Sequence, residues 1–144
     1  MTKRLTSLVS LSGVVVVIVG AWLLATQGVQ ARQGTPTEAY NAYRKAIAGA
    51  KAYSEVLPFM DSKSRAMAES LPAETQAKIL ELLKKAAGTF TDVAVTKETI
   101  TGDTAILEMS GKDPKGQPGR GSVPMTKEAT GWKVGAERWS SKPL

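Results

Sequence analysis

The chain has 144 residues, of which 19 are basic and 13 acidic, and it contains neither histidine nor cysteine. These absences exclude disulfides, catalysis by a histidine base or a cysteine nucleophile, and metal sites that depend on either residue type. The net charge of +6 is dispersed rather than clustered with aromatic residues, so we expect no nucleic-acid partner.

The first 31 residues have the pattern of an export signal. A short basic start precedes an uncharged apolar run over residues 8–25, and Val29 and Ala31 occupy the two positions that a signal peptidase inspects. Cleavage after Ala31 predicts a periplasmic or extracellular protein, with one domain over residues 32–144. The 18-residue run would span about 27 Å as a helix, so a retained membrane anchor is the alternative.

The first helix of this domain is predicted to begin at Thr35. Thr35 suits an N-cap, Pro36 suits the first helical position, and Glu38 can complete a capping box. Apolar residues then recur at intervals of three and four, which predicts one buried face formed by Tyr40, Tyr43, Ile47 and Ala50.

Three further helical segments are predicted. A short helix should end near Leu57, because the residue before Pro58 disfavours helical geometry, and Asp61 should cap a brief helix through Met67. The last helix begins around Pro72 and is predicted to end before Gly88, which suits the position after a C-cap. Its apolar side is expected to comprise Ile79, Leu80, Leu82, Leu83, Ala86 and Ala87.

The sequence after Gly88 alternates as strands do. Residues 90–99 and 104–110 predict a hairpin around Gly102-Asp103, with Ala105, Leu107 and Met109 facing inward. Residues 111–121 hold four glycines and two prolines, which predicts a mobile connection.

The last two predicted strands are residues 122–128, with Val123 and Met125 inward, and residues 132–139. Trp139 has the opposite parity to Trp132. The pattern therefore predicts either a bulge near Gly135, which returns Trp139 to the core, or a surface contact site formed by Arg138 and Trp139.

Helices followed by about four antiparallel strands, with Gly102-Asp103-Thr104 in one hairpin and Gly131-Trp132-Lys133-Val134 in the next, resemble the nuclear-transport-factor-2-like superfamily. The likeness is closest to its small exported bacterial domains of unknown function. The resemblance implies an α+β cone, in which a curved antiparallel sheet wraps over helices and leaves an open cavity. Candidate cavity residues are Tyr40, Tyr43, Ile47, Leu107, Met125 and Trp132.

Members of this superfamily include isomerases and dehydratases, besides non-catalytic binding and dimerisation modules. Asp92, Glu108 and Glu137 flank inward-facing apolar residues, so all three carboxylates are predicted to face solvent. A tyrosine hydroxyl can stabilise a developing oxyanion, but without an inward-facing carboxylate the site has no general base to move the proton. The pattern therefore favours a non-catalytic domain, without metal or cofactor, whose partner is a small apolar ligand, another protein or a second copy of the chain.

Two alternatives stay open. The first is a small isomerase or dehydratase, which requires one of these carboxylates to point inward near Tyr40 or Tyr43. The second is the same binding domain held at the membrane by residues 8–25.

Overall fold

A computed structural model describes residues 34–141 of the chain. The predicted export signal, residues 1–31, lies outside the described residues. None of the helices within residues 34–141 is long and apolar enough to cross a membrane.

The first helix, α1, spans Pro36–Gly49 and begins with the predicted capping box. The Thr35 hydroxyl accepts a hydrogen bond from the Glu38 N–H at 3.1 Å, and the Glu38 carboxylate accepts one from the Thr35 N–H at 2.8 Å. These contacts satisfy amide groups that have no partner inside the helix. The predicted face of α1 is buried, with Tyr40 fully inaccessible to solvent.

The segment after α1 forms two 3₁₀ turns, Tyr53–Glu55 and Leu57–Phe59, where the sequence predicts one short helix. Pro58 lies inside the second turn. It is tolerated there because the N–H that a proline lacks has no hydrogen-bond partner near the start of a helical turn. The next helix, α2, spans Ser62–Glu69 and is capped by Asp61 as predicted, although it runs two residues beyond Met67.

The longest helix, α3, spans Ala73–Thr89 and corrects the sequence analysis at two points. It continues through Gly88, and in its last turn the Thr89 hydroxyl donates to the Lys85 carbonyl over 2.9 Å. Leu80 is buried, whereas Leu82 is 65% exposed, because two helical residues place Leu82 about 200° around the axis from Leu80. Ala86 is also exposed.

An antiparallel sheet packs one face against the helices. Its strands are β1 (Thr91–Thr101), β2 (Thr104–Lys112), β3 (Pro118–Glu128), β4 (Gly131–Val134) and β5 (Arg138–Ser140). They lie in the order β1-β2-β3-β4, and β5 also pairs with β3. The predicted inward residues of β2 and β3 are all buried: Ala105, Leu107, Met109, Val123 and Met125.

Most of the segment predicted to be a mobile connection, residues 111–121, is paired strand. Gly111 lies opposite Gly119, and only residues 113–117 lie between β2 and β3. Gly111, Gly119 and Gly121 are needed because two stacked aromatic rings, Phe90 and Trp139, lie against the strands with centroids 4.3 Å apart. A Cβ on Gly119 would overlap the Phe90 ring.

A β-bulge separates β4 from β5. Val134 pairs with Met125 and Arg138 with Ser122, so residues 135–137 lie opposite only two residues of β3. The extra residue reverses the alternation of side chains, and Trp139 packs against the core. The predicted bulge near Gly135 is therefore confirmed.

Candidate functional site

A cleft of about 440 Å³ lies between the helices and the bulge. Most of its lining is apolar and includes Ile47 from α1, Met60 from the segment before α2 and Leu83 from α3. Tyr43 and Glu137 bring polar groups to the same cleft. An apolar concavity with a few polar groups is the usual form of a small-molecule site.

Glu137 is the one carboxylate that the structure places in this lining, and its side chain is only 21% exposed. Its Oε1 atom accepts a hydrogen bond from the Tyr40 hydroxyl at 2.9 Å and another from the indole N–H of Trp139. Arg44 Nη1 is a third donor, 3.4 Å from the same oxygen. Oε2 makes no hydrogen bond or ion pair within residues 34–141, so one oxygen is held and the other is left for a ligand.

Arg44 connects three parts of the fold around this carboxylate. Its Nη2 atom donates to the Ala87 carbonyl near the end of α3 over 2.8 Å. Its Nη1 atom donates to the Tyr40 oxygen at 3.2 Å as well as to Glu137. The guanidinium therefore balances the charge of Glu137 and satisfies a carbonyl that has no partner inside α3.

The prediction that Glu137 faces solvent is wrong. It rests on unbroken alternation from Trp132, and the bulge reverses that alternation, so Glu137 points inward together with Trp139. The opposite parity of Trp139 and Trp132 already indicated this reversal. Glu137 lies two positions before Trp139, so the same reversal places it on the same face as Trp139. Asp92 and Glu108 are exposed, as predicted.

The two tyrosines of α1 hold their protons strongly. Burial raises the pKa of Tyr43 to about 12, with a further contribution from the charge of Glu137. Burial also raises the pKa of Tyr40, although its hydrogen bond from Arg44 opposes the shift. Both hydroxyls are therefore neutral at physiological pH.

The Tyr43 hydroxyl makes no hydrogen bond to the described residues. Since no buried polar side-chain atom in residues 34–141 lacks a partner, this hydroxyl must be accessible, and Tyr43 lines the cleft. The Tyr43 hydroxyl is thus available as a hydrogen-bond donor or acceptor, whereas the Tyr40 hydroxyl already donates its proton to a hydrogen bond with Glu137.

The six predicted cavity residues divide into two groups. Tyr43 and Ile47 line the cleft. The others are buried in the core without reaching the cleft: Tyr40, Leu107, Met125 and Trp132. Trp139 borders the cleft and is half-buried, while Arg138 is exposed on the opposite face of the sheet. Among residues 34–141 no three acidic side chains lie close enough together to hold a metal ion.

No family model matches the sequence, and no curated protein matches it significantly. The chain is similar to several solved structures. A Campylobacter jejuni protein provisionally named a nuclear-transport-factor-2-like transpeptidase is 14% identical, with 70% of this chain and 97% of that chain covered and a TM-score of 0.45.

A Streptomyces avermitilis protein, provisionally named a dehydratase of the same family, is 14% identical, with 74% and 93% of the two chains covered and a TM-score of 0.47. A Shewanella baltica protein of unknown function, also named nuclear-transport-factor-2-like, is 14% identical, with 77% and 99% covered and a TM-score of 0.40. These three solved structures are what the chain is similar to, each at 14% identity and with a TM-score below 0.5.

Proposed function

We propose that the protein is an exported, non-catalytic binding domain of the cell envelope, whose cleft holds a small ligand with an apolar body and one polar end. The observation that carries this proposal is the lining of the cleft. It is mostly apolar, and the Tyr43 hydroxyl and Glu137 Oε2 are left without partners among the described residues. A volume of about 440 Å³ falls in the usual range for small-molecule sites.

The hydrogen bonds around Glu137 favour binding over proton transfer. Three donors converge on Oε1, and Arg44 balances the charge, so the carboxylate is held in one position. A fixed acceptor beside an apolar wall selects a ligand that carries an amino or hydroxyl donor. The neutral Tyr43 hydroxyl provides a second polar contact for the same end of the ligand.

Native mass spectrometry of the protein purified from its own envelope tests the proposal. We expect a bound small molecule that is released on unfolding. Ala86→Phe should abolish its retention, because residue 86 is exposed and lines the cleft. Ala77→Phe is the matched control, since it adds the same ring to an exposed position of α3 outside the cleft. Equal retention by both variants, or no small molecule with the unmodified protein, contradicts a cleft ligand.

Export rests on the sequence pattern of residues 1–31 and is tested separately. The intact mass of the protein recovered from the envelope should correspond to a chain that begins at Arg32. A chain that retains residue 1 or 2 and fractionates with membranes supports the anchored alternative. Recovery in the cytoplasmic fraction alone contradicts both.

A second function, that of a small isomerase or dehydratase, is favoured by one observation. Glu137 points inward and lies within hydrogen-bonding distance of Tyr40, as such an enzyme requires. In that reaction, Glu137 Oε2 would take a proton from the carbon beside a carbonyl, while the Tyr43 hydroxyl stabilises the enolate oxygen. The proton would then return to another carbon of the product, or to a departing hydroxyl group.

Deuterium incorporation distinguishes this function from binding. The protein is incubated in D₂O with a panel of cyclic enones and 3-hydroxyacyl thioesters, and the products are examined by mass spectrometry. Enzymatic activity predicts deuterium incorporation into the enones or loss of water from the thioesters, which disappears in Glu137→Gln and persists in Glu108→Gln, whose carboxylate is exposed. The binding function predicts neither change with either variant or with the unmodified protein.

A further inference from the structure

A second concavity, of about 640 Å³, lies on the face of the sheet that points away from the helices. Its lining includes Arg120 and Ser122 of β3, Arg138 of β5, and Ser110 of β2. These residues alternate with the buried positions of the same strands, so their side chains share the outer face. The groove therefore opens on the face of the sheet opposite the cleft, although Trp139 is part of both linings.

The strand register brings the two arginines together. Arg138 lies directly opposite Ser122, and Ser140 lies opposite Arg120, so the arginines are diagonal neighbours across one strand pair. Residues in this relation on an antiparallel sheet are roughly 7–8 Å apart, within reach of long side chains. Ser110 lies opposite Arg120 on the other side of β3.

Neither arginine has a partner in the described part of the chain. Arg120 and Arg138 are exposed, and neither guanidinium group makes a hydrogen bond or an ion pair within residues 34–141. Glu108, the acidic residue of the groove lining, is already paired with Lys97 at 3.6 Å. The groove thus presents two guanidinium groups that form no ion pair within residues 34–141, with the Glu108 carboxylate on the strand beside them.

Two serine hydroxyl groups lie beside the arginines: Ser122 is opposite Arg138, and Ser110 is opposite Arg120 on the side away from Arg138. The side chains of Ser110 and Ser122 are half-buried, and their hydroxyls make no hydrogen bond within the described residues. Exposed Ile106 provides an apolar wall beside them. Two guanidinium groups with neighbouring hydroxyl donors suit a tetrahedral oxyanion that accepts hydrogen bonds from several directions.

We propose that this outer-face groove binds a phosphate ester, with the phosphate held by Arg120 and Arg138 and the organic part against Ile106. The site uses neither Tyr43 nor Glu137 of the cleft, and the residue common to the two linings is Trp139. Phosphate esters occur both as free metabolites and as lipid headgroups, and the experiment separates these sources.

Inorganic pyrophosphate is titrated into the purified protein at 150 mM NaCl and followed by calorimetry. In parallel, sedimentation measures binding to vesicles containing phosphatidylglycerol. Arg120→Gln and Arg138→Gln should each weaken binding by about 10- to 100-fold, as expected for loss of a charge-assisted hydrogen bond. Lys45→Gln is the control, because it removes the same charge from an exposed position of α1.

Binding of pyrophosphate that depends on both arginines supports a soluble ligand, and arginine-dependent binding to vesicles alone supports a lipid headgroup. The proposal is overturned if neither probe binds, or if Lys45→Gln weakens binding as much as the arginine variants do. Tighter binding of malonate than of pyrophosphate also overturns it, because the groove would then select carboxylates. Near-UV circular dichroism verifies that each variant remains folded.

Discussion

The Tyr40 hydroxyl donates a hydrogen bond to Glu137 Oε1 over 2.9 Å, although 97 positions separate the two residues in the sequence. The contact joins the first helix of the domain to the bulge near its last strand. It also fixes the carboxylate at the cleft, so the same hydrogen bond contributes to the fold and to the candidate site.

Removal of this hydroxyl should destabilise the domain. We expect Tyr40→Phe to lower the free energy of unfolding by about 2 kcal/mol, because the lost hydrogen bond has a charged acceptor in a largely buried position. Urea denaturation measures the change. Tyr53→Phe is the matched control, since the only hydrogen bond of the Tyr53 hydroxyl within residues 34–141 is to the Met60 sulfur at 3.7 Å, and its effect should stay below about 0.5 kcal/mol. Equal losses in the two variants would show that the Tyr40–Glu137 contact contributes little.

Alkaline pH should destabilise the protein through Tyr43. Its pKa is about 12 in the folded state and 10.0 in the unfolded chain, so above pH 10 the unfolded state binds fewer protons. The raised pKa of Tyr43 therefore stabilises the folded state fully below pH 10. Its contribution to the free energy of unfolding declines by about 1.4 kcal/mol per pH unit between pH 10 and 12. Denaturation curves between pH 9 and 12 measure the slope, which should be smaller in Tyr43→Phe. An unchanged slope in that variant would mean that Tyr43 is not responsible.

Local patterns in the sequence predict the helix starts well. The capping box at Thr35 and the cap at Asp61 involve residues within three positions of one another, so neighbouring residues suffice to specify them. The alternating residues of β2 are predicted correctly for the same reason. The α+β architecture follows from these elements taken together.

Long-range contacts account for the two main errors. Glycines at 119 and 121 favour a loop when only their neighbours are considered, yet they lie under the rings of Phe90 and Trp139. The inward direction of Glu137 depends on how residues 135–137 pair with β3, which the local sequence does not specify. The helical period therefore predicted Tyr43 and Ile47 of the candidate site, but neither Glu137 nor its contact with Arg44.

The close approach of Trp139 to β3 makes Gly121 sensitive to substitution. In Gly121→Ala the new Cβ would lie 2.8 Å from Trp139 Cδ2 and 3.0 Å from Met109 Cε, so the ring must shift. We expect a loss of about 1–3 kcal/mol and a changed near-UV circular dichroism spectrum. Gly88→Ala is the matched control, because its Cβ meets nothing within 4 Å and a helical alanine should raise stability by up to about 1 kcal/mol. A change in the free energy of unfolding that has the same sign in both variants would contradict this interpretation.

Glu98 of β1 provides a second cap for α1, besides the local capping box. Its Oε2 atom accepts hydrogen bonds from the Thr37 N–H at 2.9 Å and from the Thr37 hydroxyl at 2.6 Å. The negative charge also lies near the positive end of the helix dipole. Glu98→Ala should therefore lower the free energy of unfolding by about 1–2 kcal/mol, and Glu98→Gln by less, because the amide retains an acceptor oxygen.

Urea denaturation of these variants is compared with that of Glu108→Ala, which removes the same side chain from the neighbouring strand. Glu108 is exposed and paired only with Lys97 at 3.6 Å, so its removal should cost less than about 1 kcal/mol. Hydrogen exchange of the first-turn amides of α1 gives a local readout, and it should accelerate in Glu98→Ala alone. If both alanine variants accelerate it equally, the Thr37–Glu98 contact does not hold the helix start against the sheet.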